Sequence, residues 1–284
     1  MSSTLKSHLG DAAPGRVEPV DTALVVACIS GVVALASAAF SGWTQLQVTQ
    51  REKESKAEER RSEAKVVLDR YRGPLLDAAW QLGDRVDNIR KRGFFAYLSE
   101  GSGRELDAKL STLFRFAYYL GWREFVRTEV QLLRFENEQD TRLAAGFLND
   151  ATWVLASDKL DGRWAMLWGD EQRGIGELMT EQPPGASPIV RVRGHAAFYR
   201  DYDKIFADWM ERFAGDLFLP AAVKSSRLRL LQWALYGLVQ QLDEEGAYGG
   251  GWIDRSAEQI SQTPPPENIT KPEKQLRTHL AAIK

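Results

Sequence analysis

The chain has 284 residues, with 37 lysines and arginines against 39 aspartates and glutamates, so its formal net charge is −2. A 44% share of hydrophobic residues is typical of a folded protein, and the charge balance excludes a strongly basic nucleic-acid-binding protein. One cysteine excludes an intramolecular disulfide, and together with three histidines it argues against a Cys/His zinc site, so we expect neither a metal nor a cofactor.

An uncharged segment follows the short polar tail of residues 1–21. Residues 22–50 contain no Asp, Glu, Lys, Arg or His, and their apolar part has the roughly 20 residues that a membrane-spanning helix needs. We therefore predict a transmembrane helix over residues 22–43. The alternative is a cleaved signal peptide with the site Ala36-Ser37-Ala38, but the apolar stretch is long and the preceding tail lacks net positive charge.

Basic residues flank the predicted span unequally, with two before it and six within residues 51–65. Because basic flanks remain on the cytoplasmic side, we expect a single-pass protein of the cell (inner) membrane, with its N-terminus outside and its large domain in the cytoplasm. Small residues at four-residue intervals in the span would let two helices approach closely in lipid. Self-association is therefore a further hypothesis, and it rests on Ser30, Ala34, Ala38 and Gly42.

Charged residues dominate the segment that follows the span. Opposite charges four residues apart, such as Glu52 and Lys56, favour a solvent-exposed helix. We predict a charged helical stalk over residues 44–65, and its lack of apolar a and d positions argues against a coiled coil.

Apolar residues recur every three to four positions through residues 66–245, which predicts an all-α cytosolic domain of several helices. Pro74 is expected to mark a kink or a helix start, and Gly121 a helix end. Extended pieces are predicted at 164–168 and 189–192, so the domain should contain at most a short hairpin. The predicted helical stripes lie at 67–89, 106–120, 122–133, 143–154, 171–180, 198–217 and 228–242.

The composition changes after Glu245. Residues 246–251 are rich in glycine and residues 263–266 are rich in proline, a pattern typical of mobile segments. We therefore predict a flexible C-terminal tail over residues 246–284, with at most a transient helix near its end.

The common catalytic signatures are missing, so a non-enzyme is favoured. His195 is the one histidine within the predicted domain and is the candidate base, although a lone histidine at a helix start is more often a packing residue. The segment 168–179 places glycines beside Glu171, Arg173 and Glu177, which could form an anion site. The same charges also suit a helix, with an acid near its N-terminus and an i,i+4 pair.

Several stretches of the chain resemble bacterial proteins, chiefly actinobacterial, that have one membrane span and a helical cytosolic domain. The resemblance covers residues 66–217 and implies that architecture and an inner-membrane location, but it implies no activity and no functional residue. The stretches that carry it are Tyr71–Ala79, Arg85–Ile89, Gly93–Phe95, Ser111–Phe114, Gly121-Trp122 and Gly169–Met179.

The leading hypothesis is a membrane-anchored cytosolic helical module for protein interaction or regulation, with an unidentified protein partner. The alternative is a membrane-tethered enzyme or small-ligand-binding domain whose site residues are Glu171, Arg173, Glu177 and His195. A third hypothesis is an effector that disrupts the membrane through oligomerising spans.

Overall fold

The computed structural model describes residues 71–99, 101–131, 139–181 and 191–283, together with isolated positions between 45 and 62. The described chain from residue 71 onward is mostly helical, which confirms the all-α prediction. The described positions of the predicted stalk are helical and exposed. Among the described residues, no helix combines the length and apolar character that crossing a membrane requires. The predicted span 22–43, with its small residues Ser30 to Gly42, lies outside them.

Helices account for most of the described fold. The elements are α1 (residues 71–91), α2 (Glu105–Gln131), α3 (Gln139–Ala156), α4 (Gly169–Met179), α5 (His195–Asp201), α6 (Ala207–Leu217), α7 (Ser226–Leu242), α8 (Trp252–Gln262) and α9 (Lys271–Leu280). Short 3₁₀ helices occupy Phe94–Leu98 and Pro220–Lys224, and a π-helical turn at Tyr202–Phe206 joins α5 to α6.

The described residues contain one short antiparallel strand pair, as expected, but its first strand differs from the prediction. Strand β1 (Thr180–Glu181) pairs with β2 (Arg191–Val192), with Thr180 opposite Val192. Residues 164–168, which were predicted to be extended, instead belong to a turn and the loop that follows it.

Helix α7 packs against α3, α8 and α9 and carries much of the core. The Ser225 hydroxyl accepts the Leu228 N–H at 3.1 Å and so caps its first turn. Arg227 in the same turn is fully buried. Its guanidinium donates to backbone carbonyls in the last turn of α3 and in the segment that follows it, and so ties this segment to α3 where the sequence predicted a strand. The carbonyls belong to Val154, Leu155, Ser157, Leu160, Gly162 and Trp164.

Helix α2 runs through Gly121 without a break, so the predicted helix end at this residue is wrong. A Cβ atom at Gly121 would lie 2.8 Å from the Met179 Cβ. The glycine therefore allows α2 to approach the end of α4 closely. Its tertiary role outweighs the tendency of glycine to end helices.

Residues 246–283 of the predicted flexible tail are instead a folded part of the domain and belong to the same compact unit. Helices α8 and α9 both pack against α7. Trp252 on α8 is 1% exposed and Leu276 on α9 is fully buried. The turn-forming residues serve helix ends, since Gly251 precedes α8 with a positive φ and Pro272 lies in the first turn of α9.

Candidate functional site

A pocket of about 450 Å³ opens between α1, the start of α2 and α5. Polar and aromatic side chains dominate its walls. We call it the arginine pocket, and it is lined by Arg85 and Asn88 of α1, Tyr97 and Arg104 of the α1–α2 connection, Asp107, Ala108 and Ser111 of α2, and His195 and Tyr199 of α5.

Two guanidinium groups meet at Ser111. Arg85 Nη2 donates to the Ser111 hydroxyl at 3.3 Å, and Arg115 Nη1 donates to the Ser111 backbone oxygen at 2.9 Å. Within the described chain, neither arginine has a carboxylate oxygen within 4 Å. Asp84 carries the negative charge that acts on both, but its carboxylate pairs with Arg92 at 2.5 Å. The two cations therefore lie side by side without an acidic partner of their own.

Burial, followed by the positive charge of Arg115, lowers the pKa of Arg85 to about 10. Burial likewise lowers the pKa of Arg115. Both groups still carry their proton at neutral pH. The Phe94 ring lies 5.2 Å from the Arg85 guanidinium carbon and supports it by a cation–π contact. Partly desolvated positive charge without a bound acid favours the approach of an anion, and the planar guanidinium fork matches carboxylate or phosphate oxygens.

His195 lies at the start of α5 and contributes its ring to the arginine pocket. The ring packs edge-on against Phe114, with ring centroids 5.0 Å apart, and at a tilt against Tyr199, with centroids 4.5 Å apart. It forms no hydrogen bond or ion pair with another described residue. A general base requires a group that orients its ring and fixes its tautomer. His195 is therefore placed to line a binding pocket but not held as a base.

Glu171 holds the start of α4. Its carboxylate accepts the Trp168 backbone N–H at 2.7 Å and pairs with Arg212 of α6 at 2.9 Å. Arg173 and Glu177 are exposed on the same helix, and the expected ion pair between them is not formed.

The structure does not bring these α4 residues together with His195. Glu177 acts on the charge of Arg127, whereas His195 packs on Phe114, and both of these partners belong to α2. The two α2 positions are 13 residues apart, or about 20 Å at 1.5 Å per residue. The four residues predicted from the sequence therefore do not form one cluster, and only His195 lines the arginine pocket.

The glycines of α4 serve packing. A Cβ atom at Gly174 would lie 2.5 Å from the Trp209 ring of α6, and one at Gly176 would lie 2.8 Å from the Leu120 backbone oxygen. They therefore let α4 approach α6 and α2 closely and do not shape an anion site.

A second surface surrounds the Glu171–Arg212 ion pair. Trp168 is 57% exposed beside it, and Trp209, one turn before Arg212 on α6, is 40% exposed. We call these four residues the tryptophan surface. Exposed tryptophan and arginine are the residue types that contribute most binding energy at protein interfaces.

Sequence reasoning missed Arg85, Arg115 and Ser111. One signal was available, because Arg115 interrupts the apolar run Leu113–Ala117, and a charge within such a run needs a specific partner or role. Among the described residues, no group of three His, Cys, Asp or Glu side chains is arranged to hold a metal ion.

Comparisons with protein-family models, with curated proteins and with solved structures find no match for this chain. The resemblance to bacterial single-span proteins therefore stays a prediction.

Proposed function

We propose that the chain is a membrane-anchored regulatory module whose cytosolic helical domain binds a small anionic ligand in the arginine pocket. The observation that carries the proposal is the convergence of Arg85 and Arg115 on Ser111 without a carboxylate partner. Two like charges held together cost free energy. A bound anion would offset that cost and accept hydrogen bonds from Arg85, which lines the pocket, while Arg115 lies behind it at Ser111.

Binding is favoured over catalysis at this pocket. His195 lacks a hydrogen-bonding partner in the described chain, and the acids of α4 lie elsewhere. The pocket holds cations, hydroxyls, rings and the Asp107 carboxylate, and no described residue orients its histidine as a base, so it is suited to recognition. This extends the regulatory hypothesis and retains only the ligand-binding half of the enzyme alternative.

The anchor enters the proposal from the sequence. The uncharged segment 22–43 and the six basic residues after it support a retained span with the domain in the cytoplasm. Carbonate washing of membranes tests this part. The full chain should stay in the pellet, whereas an Ala34→Arg/Leu35→Arg variant should be extracted, because charges at the bilayer centre are costly. Extraction of the unaltered chain would contradict the anchor.

Titration of the purified full-length chain with inorganic phosphate, at ionic strength matched with chloride, tests ligand binding. We expect Arg85→Gln to weaken phosphate binding by about 10- to 100-fold, because a charged hydrogen bond is worth about 1.5–3 kcal/mol. Arg212→Gln is the matched control, since it removes an exposed arginine outside the pocket. Equal binding by both variants, or no binding by the parent chain, would refute the proposal.

Protein interaction is a second candidate function, favoured by the tryptophan surface. A photo-crosslinking residue in place of Trp168 should capture one defined partner in the native host, while the same residue at the exposed Glu177 should not. Identical crosslinking patterns at the two positions would contradict this candidate.

A further inference from the structure

The arginine pocket contains more than its cations. Three rings line it as well, those of Tyr97, His195 and Tyr199. Tyr97 is 52% exposed and His195 is exposed, so both offer ring surface to a ligand. Tyr199 is fixed, because its hydroxyl donates to the Asp107 backbone oxygen at 3.0 Å and its ring packs on His195. Exposed rings that line a pocket favour a planar, partly apolar group, since such a group can stack on them.

An acid and an amide complete the lining. The Asp107 carboxylate forms no ion pair within the described chain, although it shares the pocket with Arg85 and Arg104. An ionised carboxylate only accepts hydrogen bonds and repels a bare anion. It therefore favours a ligand that carries hydroxyl or amino donors beside its anionic group. The Asn88 side chain can both donate and accept, as the edge of a heterocyclic ring requires.

We propose that the ligand of this pocket is a nucleotide, an inference that rests on the proposed function. Its phosphate binds Arg85 beside Ser111, where the neighbouring Arg115 adds positive charge, and its hydroxyl or amino donors meet Asp107 and Asn88. Its base stacks on the exposed rings of Tyr97 and His195. A volume of about 450 Å³ lies within the range of small-molecule pockets.

The observation that favours a nucleotide over free phosphate is the combination of charges and rings at one place. A phosphate ion would leave the rings and Asp107 without a role. A lipid headgroup would supply the phosphate but no planar ring. The pocket does not use a glycine-rich phosphate loop, so this site would not be found by a sequence motif.

Calorimetric titration of the full-length chain with adenosine 5′-monophosphate, ribose 5-phosphate, adenosine and inorganic phosphate tests the proposal. Guanosine, cytidine and uridine monophosphates cover the other bases. At least one nucleoside monophosphate should bind tenfold or more tightly than ribose 5-phosphate and inorganic phosphate. Tyr97→Ala should reduce this advantage by about 5- to 100-fold, the range that base–aromatic stacking contributes, and leave the affinity for inorganic phosphate unchanged. Trp168→Ala is the control for loss of an exposed ring outside the pocket.

Each outcome separates this inference from the proposed function. If phosphate binds, depends on Arg85, and no nucleotide binds more tightly, the nucleotide assignment is wrong while the anion site stands. If vesicles containing phosphatidic acid bind through Arg85 but nucleotides show no preference over phosphate, the ligand is a headgroup and the assignment is again wrong. If no probe binds, both proposals fail.

Discussion

The substitution Gly83→Ala tests whether the C-terminal segment is packed as the structure has it. Gly83 lies on α1, and a Cβ atom there would be 2.3 Å from the Cη2 atom of Trp252 on α8. The added methyl group would therefore push directly on the ring that joins α8 to the core. If residues 246–284 formed the flexible tail that their composition predicts, the added methyl group would meet no ring and would not lower the free energy of unfolding.

The size of the effect follows from the required movement. To reach an ordinary contact of 3.4 Å from 2.3 Å, the Trp252 ring must retreat by about 1.1 Å. Overpacking of this kind costs about 1–3 kcal/mol, and alanine returns up to about 1 kcal/mol through its better helix propensity. We expect a net loss of about 0–2 kcal/mol. If the ring leaves its site altogether, the loss approaches the ~3–5 kcal/mol of a buried tryptophan.

Urea denaturation of the full-length chain, followed by tryptophan fluorescence and circular dichroism, measures the free energy of unfolding. Gly215→Ala is the matched control, because Gly215 lies exposed within α6 and a Cβ atom there meets nothing within 4 Å. That variant should gain about 0.5–1 kcal/mol.

A double-mutant cycle with Trp252→Leu decides the cause. The smaller side chain leaves room for the methyl group, so Gly83→Ala should become neutral or stabilising in that background. The coupling energy should be about 1–3 kcal/mol. A wild-type background in which Gly83→Ala stabilises as much as Gly215→Ala, or a coupling energy of zero, would refute the packing of Trp252 on α1.

Two further predictions concern buried charges. Arg227→Lys should lower the free energy of unfolding by about 3–5 kcal/mol, because the three donors of an ammonium group cannot replace a guanidinium that serves six carbonyls. The control Arg212→Lys, at an exposed ion pair, should change it by less than about 0.5 kcal/mol. Equal losses in the two variants would contradict the role of Arg227. Burial raises the pKa of Asp150 more than its contact with His279 lowers it. The protonated Asp150 side chain therefore contributes to the free energy of unfolding at low pH, and this contribution is lost as the pH rises through the raised pKa of Asp150. In a His279→Gln background, Asp150→Asn should abolish this loss, and parallel stability–pH curves with and without Asp150→Asn would contradict it.

The all-α architecture could be predicted because the apolar period is a local property of the chain. The boundaries that failed depend on distant residues. From the sequence, Gly121 indicates a helix end, and only its close contact with Met179 explains why a glycine lies within α2. The glycines and prolines after Glu245 predict a flexible tail. The burial of Trp252, however, depends on its contact with Gly83, 169 positions earlier in the chain. Local composition contains no information about such a contact.

In the candidate site, too, the features that depend on local sequence could be predicted, and those that depend on contacts between distant residues could not. His195 could be selected from the sequence because histidines are few, and it does line the pocket. The meeting of Arg85 and Arg115 could not be predicted, since it arises from the packing of α1 against the start of α2. Glu171 was selected for its unusual glycine-rich surroundings. Those glycines proved to serve close helix approach, and the acid to hold a helix start.

The arginines of this domain differ in how far their donors are used, and the proposed site lies where an arginine with unused donors also lines a pocket. Arg227 is fully buried and donates to six carbonyl oxygens, so its N–H donors are all used within the fold. Arg123 donates to both Thr152 and Gln172. Among the described residues, Arg85 and Arg115 each donate to one acceptor only, at the same serine, although a guanidinium offers five N–H donors. Arg85 also lines the pocket, so its remaining donors are available to a ligand, which is why we place anion recognition there and not at a buried arginine.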